Sequence, residues 1–94
     1  MSASGTIEVS AYPNPFNSVA TIEFQKTDQA AHVSVEIYSL DGSKVATLFD
    51  GEVEAGVAYK VEFNAVNLAE GMYIYKVISD DNVVNGKLML LRNN

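Results

Sequence analysis

The chain has no cysteine and no tryptophan, one histidine, two prolines, and only six basic residues against twelve acidic ones. Each scarcity removes a class of function. Without cysteine there is no disulfide framework, no thiolate nucleophile and no sulfur-ligated metal centre. Secretion is not excluded on that ground, because bacterial exported domains often do without disulfides. The net charge of −6 comes with no basic cluster, so neither nucleic acid nor an anionic membrane surface is a fitting partner. No apolar run approaches the length of a membrane-spanning helix. The start, Met1-Ser2-Ala3-Ser4-Gly5, lacks the charged and then apolar order of a signal peptide. Residues 1–5 are read as a linker remnant or an engineered start, and residues 6–94 as one domain cut from something longer.

Catalytic chemistry is equally short of material. His32 shares a strand face with Ser34, but there is no Gly-x-Ser-x-Gly elbow or His-Glu-x-x-His helix, and the sequence points to no orienting acid or oxyanion hole. His32 is therefore read as a solvated strand residue, and no catalytic residue or cofactor is assigned. Asp80-Asp81-Asn82 gathers three oxygen-bearing side chains, whereas calcium takes about six to eight oxygens, so the run is read as a hairpin turn and no metal site is assigned. Glu52 and Glu54 receive the same reading. Five tyrosines raise the idea of a carbohydrate platform. Tyr59, Tyr73 and Tyr75, however, fall in phase with core positions, and only Tyr12 and Tyr38 stay open.

What is present is a chain of 94 residues, 48% hydrophobic and 19% charged, written largely with a period of two. Thr6 to Tyr12 alternates with Ile7, Val9 and Ala11 on one face and stops at Pro13. Pro13-Asn14-Pro15-Phe16-Asn17 holds both prolines, which fix φ and hold the preceding residues extended, predicting a stiff crossing. Ala20, Ile22 and Phe24 face inward in a second strand that ends at Thr27-Asp28-Gln29. Val33, Val35 and Ile37 repeat the pattern up to Asp41-Gly42, a strong hairpin signal. A fourth strand runs from Lys44 to about Phe49; Val45 and Leu48 are out of step, which predicts a bulge or an edge, and Asp50-Gly51 is read as its end. Tyr59, Val61 and Phe63 make a fifth strand after an acidic connection.

Leu68-Ala69-Glu70-Gly71-Met72-Tyr73 then predicts a corner, with Gly71 at positive φ and the Tyr73 hydroxyl returned to the loop backbone. The strand that follows, Met72 to Ile78, is apolar on both faces and belongs inside a sheet. A last strand, Val83 to Leu91, reads as broken at Asn85-Gly86. In its final run Leu88 and Leu90 are expected to fill the core while Met89 and Leu91 cover a flank near an edge, and edges are pairing sites. Seven strands with frequent turns and no helical period give an all-β fold, an immunoglobulin-like antiparallel sandwich of two sheets.

Tyr12-Pro13-Asn14-Pro15-Phe16-Asn17, the segment Val35 to Leu48, Gly56, the Leu68-x-x-Gly71-x-Tyr73-x-Tyr75 corner and the ending Gly86-Lys87-Leu88-Met89-Leu90-Leu91 resemble, in the same order, a type IX secretion system C-terminal sorting domain of type A. The departure is Ser18-Val19, where that family often has a proline and threonines. The resemblance implies a non-catalytic module at the C-terminus of a secreted protein, often a hydrolase or adhesin, in the Bacteroidetes or their relatives. It implies delivery through the outer membrane, with the secretion machinery and a sortase-like cysteine protease as partners, and cell-surface attachment or release of the N-terminal cargo. The residues matching the sorting motif are Pro13, Asn14, Pro15, Gly71, Tyr73, Lys87, Leu88, Leu90 and Leu91. An edge strand also offers a weak homodimer contact. The other readings are a hook-capping immunoglobulin-like module and a carbohydrate-binding module.

Overall fold

The computed structural model describes residues 7–80 and 82–92. In chain order the strands are β1 (Ile7–Tyr12), β2 (Val19–Lys26), β3 (Ala31–Ser39), β4 (Lys44–Val53), β5 (Ala58–Asn64), β6 (Gly71–Ser79) and β7 (Asn82–Leu90). They form two antiparallel sheets, ordered β1-β2-β5 and β4-β3-β6-β7. This is the expected sandwich. The period-two residues supply its interior: Ala20, Ile22 and Phe24 from β2, and Val33, Val35 and Ile37 from β3, are all buried. Each such large side chain contributes about 1.5–3 kcal/mol through removal from water. Two aromatic groups run through the core. Phe16, Phe63 and Tyr73 make one, with successive ring centres 5.8 and 5.9 Å apart; Phe24, Phe49 and Tyr59 make the other.

β6 lies between β3 and β7, which accounts for its two apolar faces. Val35 pairs with Val77 and Ile37 with Tyr75, aligning the inward residues of β3 and β6. β4 is an edge strand, and its pairing with β3 shifts register between Val35 and Glu36 and again between Ile37 and Tyr38. The irregularity expected from Val45 and Leu48 is thus present.

Two boundaries differ from the sequence reading. β4 does not end at Asp50-Gly51 but continues to Val53, because nine-residue β3 supplies backbone partners that far: Gly51 pairs with Val33 and Glu52 with His32. The chain turns at Gly56 instead, where φ is +78°. β7 is likewise unbroken at Asn85-Gly86. Gly86 lies opposite Tyr75, and a Cβ there would collide with the tyrosine ring, so this glycine marks close packing rather than a strand end. The polar turn before β7 includes Asp81, which lies outside the described residues, as does Thr6 before β1.

Lys26 is a feature the period-two pattern does not announce. It continues the inward series of β2 and is 1% exposed, its ammonium 2.7 Å from the Asp28 carboxylate. A buried ammonium needs such a partner, since desolvation disfavours an unpaired charge. The same residue's carbonyl accepts the Gly56 N–H at 2.8 Å.

Candidate functional site: the clasp on the terminal strand

The nine sorting-motif residues converge on one end of the sandwich. Leu88 and Leu90 are buried, Tyr73 pairs with Leu88, and Gly71 pairs with Leu90. Met89 is half-buried and Leu91 is exposed, as the flank reading of the final run expects. At Gly71 φ is +145°, within the region that favours glycine, and the Tyr73 hydroxyl donates to the Ala69 carbonyl at 2.5 Å. The corner expected from sequence is therefore formed, and it fixes the start of β6 against the end of β7.

Pro13-Asn14-Pro15 reaches the same place from the other end of the chain. Both peptide bonds preceding the prolines are cis. The segment runs along the outer edge of β7 and bonds to it as a strand would. Asn14 Nδ2 donates to the Lys87 carbonyl at 2.9 Å, and the Met89 N–H donates to Asn14 Oδ1 at 3.0 Å. One side-chain amide thus stands in for a peptide unit. Two residues on, the Phe16 N–H donates to the Met89 carbonyl and the Leu91 N–H to the Phe16 carbonyl, each at 2.9 Å, giving a parallel bridge between Phe16 and Leu90. The Phe16 ring is buried against Phe63. The terminal half of the edge is consequently not free for pairing; its outward donors and acceptors are already bonded.

Sequence reasoning did not select three participants: Phe16, Glu70 and Arg92. The Arg92 N–H donates to Glu70 Oε1 at 2.9 Å. Its guanidinium donates to the carbonyls of Ala65 at 2.6 Å, Val66 at 3.2 Å and Asn17 at 3.4 Å, and to that of Leu68. Arg92 therefore ties the chain beyond β7 to the loop before the corner. The only sequence signal for it is its place, the single arginine directly after an apolar run.

The remaining candidates lie elsewhere. His32 is exposed on β3, and both of its ring nitrogens face carboxylates on β4: Nε2 is 2.5 Å from Asp50 and Nδ1 is 3.0 Å from Glu52. The orienting acids missing from the sequence reading are thus present, but with both nitrogens engaged neither is left to act as a base toward Ser34. The hydrogen bond to Glu52, then that to Asp50, raises the His32 pKa above its ordinary value. Tyr12 donates to Glu23 at 2.9 Å and Tyr38 to Glu36 at 2.6 Å, and Lys76 sits 4.6 Å over the Tyr38 ring. Each phenol pKa is raised, first by the hydrogen bond to its carboxylate. Among the described residues no three histidine, aspartate or glutamate side chains assemble a metal-ligand set. Among the described residues no helix is long and apolar enough to cross a membrane.

Comparison with known proteins gives a fold match and a family. The crystal structure of dimeric latent PorU from Porphyromonas gingivalis superposes with a TM-score of 0.61 at 20% identity; the match covers 93% of this chain and 9% of that one. At that identity it speaks for the fold alone. No curated protein matches the chain in sequence. The model of the secretion system C-terminal sorting domain family matches residues 10–91, from the middle of β1 to the residue after β7. That span contains Pro13, Asn14 and Pro15, the corner and the Lys87–Leu91 run, and the chain belongs to this family of type IX secretion system C-terminal sorting domains.

Proposed function

We propose that residues 6–94 are the C-terminal targeting module of an exported bacterial protein, a hydrolase or an adhesin, carrying it through the outer membrane for cell-surface attachment or release. The observation that supports this reading is the convergence, at one end of the sandwich, of two sequence segments about 75 residues apart, joined by the Asn14 and Phe16 bonds to β7. The module itself performs no chemistry. Its partners are the outer-membrane secretion machinery and a sortase-like protease that separates it from the N-terminal cargo. Pro13, Asn14, Pro15, Lys87 and Leu91 form the exposed sorting surface, Gly71, Tyr73, Leu88 and Leu90 support it from within the sandwich, and Arg92 holds the chain beyond β7 in place.

The test is a reporter with a signal peptide, fused ahead of this chain and expressed in a type IX host. The intact fusion is expected at the cell surface. Deletion of Leu91 to Asn94, which spares the fully buried Leu90, should leave the reporter in the periplasm while the domain still melts cooperatively. Normal surface delivery by a folded truncation would remove the sorting role of this end.

A further inference from the structure

Two open sheets leave four edge strands, here β1, β5, β4 and β7. Three of them are blunted in the ways that deter pairing. β4 carries two register shifts, β5 has Lys60 and Glu62 in mid-strand, and β1 carries Glu8 and runs into Pro13. β7 differs. It pairs with β6 without a shift from Asn82 to Leu90, and Val83-Val84-Asn85-Gly86 holds no charge and no proline.

The outward backbone groups of this edge follow from the clasp. The Lys87 carbonyl, both groups of Met89 and the Leu91 N–H point away from β6 toward Asn14 and Phe16. By antiparallel alternation the same edge presents the N–H and C=O of Val83 and Asn85 and the N–H of Lys87. Among the described residues none bonds to these five groups. The edge is therefore open over one half and covered over the other.

Charge beside the open half indicates the kind of partner. Lys76 and Lys87, with Ile74, Asn85 and Gly86, line a groove on the outer face of β6 and β7. Among the described residues Lys26 and Lys44 are paired with carboxylates, whereas Lys87 has no such partner. A strand laid along β7 would place its own side chains about 4.5–5.5 Å from those of β7, within reach of the Lys87 ammonium.

We infer that the outer edge of β7 is a strand-addition site for an extended, acidic polypeptide segment, and that Asn14 sets how much of the edge is available. The inference rests on the sorting role and names the recognition chemistry of the same end of the molecule. Asn14 is the part of the cover that lifts first, because its two bonds are solvent-exposed, while Phe16 is anchored in the core. Lifting Asn14 adds the Lys87 carbonyl and the Met89 N–H to the five open groups. The backbone ladder then supplies affinity and Lys87 selects acidic side chains.

The experiment titrates the isotopically labelled chain with a capped peptide of alternating valine and glutamate, beside its valine–lysine counterpart. Expected are amide shifts confined to Val83–Met89, slowed exchange of the Val83 and Asn85 amides, and weaker binding of the lysine peptide. Binding to Asn14→Ala should be about fivefold tighter, the scale of one modest net hydrogen-bond contribution. Asn14→Leu, which keeps the side-chain volume, adds no charge and loses both bonds, gives the same direction if the alanine variant is poorly folded. Shifts on β4 or β5, no shifts, or equal affinity for wild type and both variants would overturn the inference. So would a dimer with β7 shifts in the absence of peptide, which would assign the edge to a second copy. Export does not enter this titration, so its failure leaves the sorting reading standing, and failed export beside successful titration removes only that reading.

Discussion

Gly71 and Gly86 show two different reasons for a glycine, and substitution should separate them. At Gly71, φ of +145° is the constraint, so Gly71→Val should lower stability by about 1–3 kcal/mol in denaturant titration. At Gly86 the constraint is the Tyr75 ring. Gly86→Ala should therefore destabilise in the wild-type background and cost much less in a Tyr75→Ala background, where the ring is gone, a coupling readable in a double-mutant cycle. Gly51→Ala should cost less than either, since a Cβ there meets only the Phe49 ring at 3.6 Å, ordinary contact. His32 supplies a pH-dependent prediction. Its pKa is raised in the folded state, so its contribution is fully present below its unfolded value of about 6.5 and is lost as pH rises through the higher folded value. The melting temperature should fall across that window, less steeply at high salt, and His32→Gln should flatten the fall.

At the scale of elements, the β2 terminus and the β7 terminus are each held by a charged side chain. Lys26 is buried and Asp28 is its ion-pair partner. Asp28→Asn should therefore destabilise more than Lys26→Met, because the first leaves an unpaired buried ammonium and the second fills the same space with an apolar chain. Hydrogen bonding to Lys26, the largest cause, lowers the Asp28 pKa, so the pair's contribution should be lost as pH falls below the ordinary aspartate range through that lowered value. Arg92 ties four loop carbonyls to the end of β7. Arg92→Ala should speed amide exchange at Leu68 and Leu91 while leaving Val77, in the centre of β6, at the rate of global opening.

Considered whole, the molecule is one sandwich whose two sheets share a single cluster of buried residues from β1, the proline segment and β2 to β7. Neither sheet can bury its inner face alone, so unfolding should be one transition. Circular dichroism and tyrosine fluorescence should report coincident midpoints, and distinct midpoints would show that the sheets separate.

The period of two determined, without any structure, the seven strands, the inward set Ile22, Phe24, Val33, Val35 and Ile37, and the interior position of β6, because alternation is a local property of the extended backbone. The Gly71 corner was legible for the same reason: its turn, its glycine and its tyrosine lie within a few residues. The end of β4 and the continuity of β7 were not legible, because a strand continues as far as its neighbour offers hydrogen bonds, and Asp50-Gly51 and Asn85-Gly86 are turn formers only when no such neighbour is present. Tertiary structure alone decided the clasp. Nothing in the local pattern of Pro13-Asn14-Pro15 reveals that its amide will stand in for a peptide unit beside Lys87 and Met89, since that bond joins residues 73 and 75 apart in sequence and exists only once the sandwich has closed.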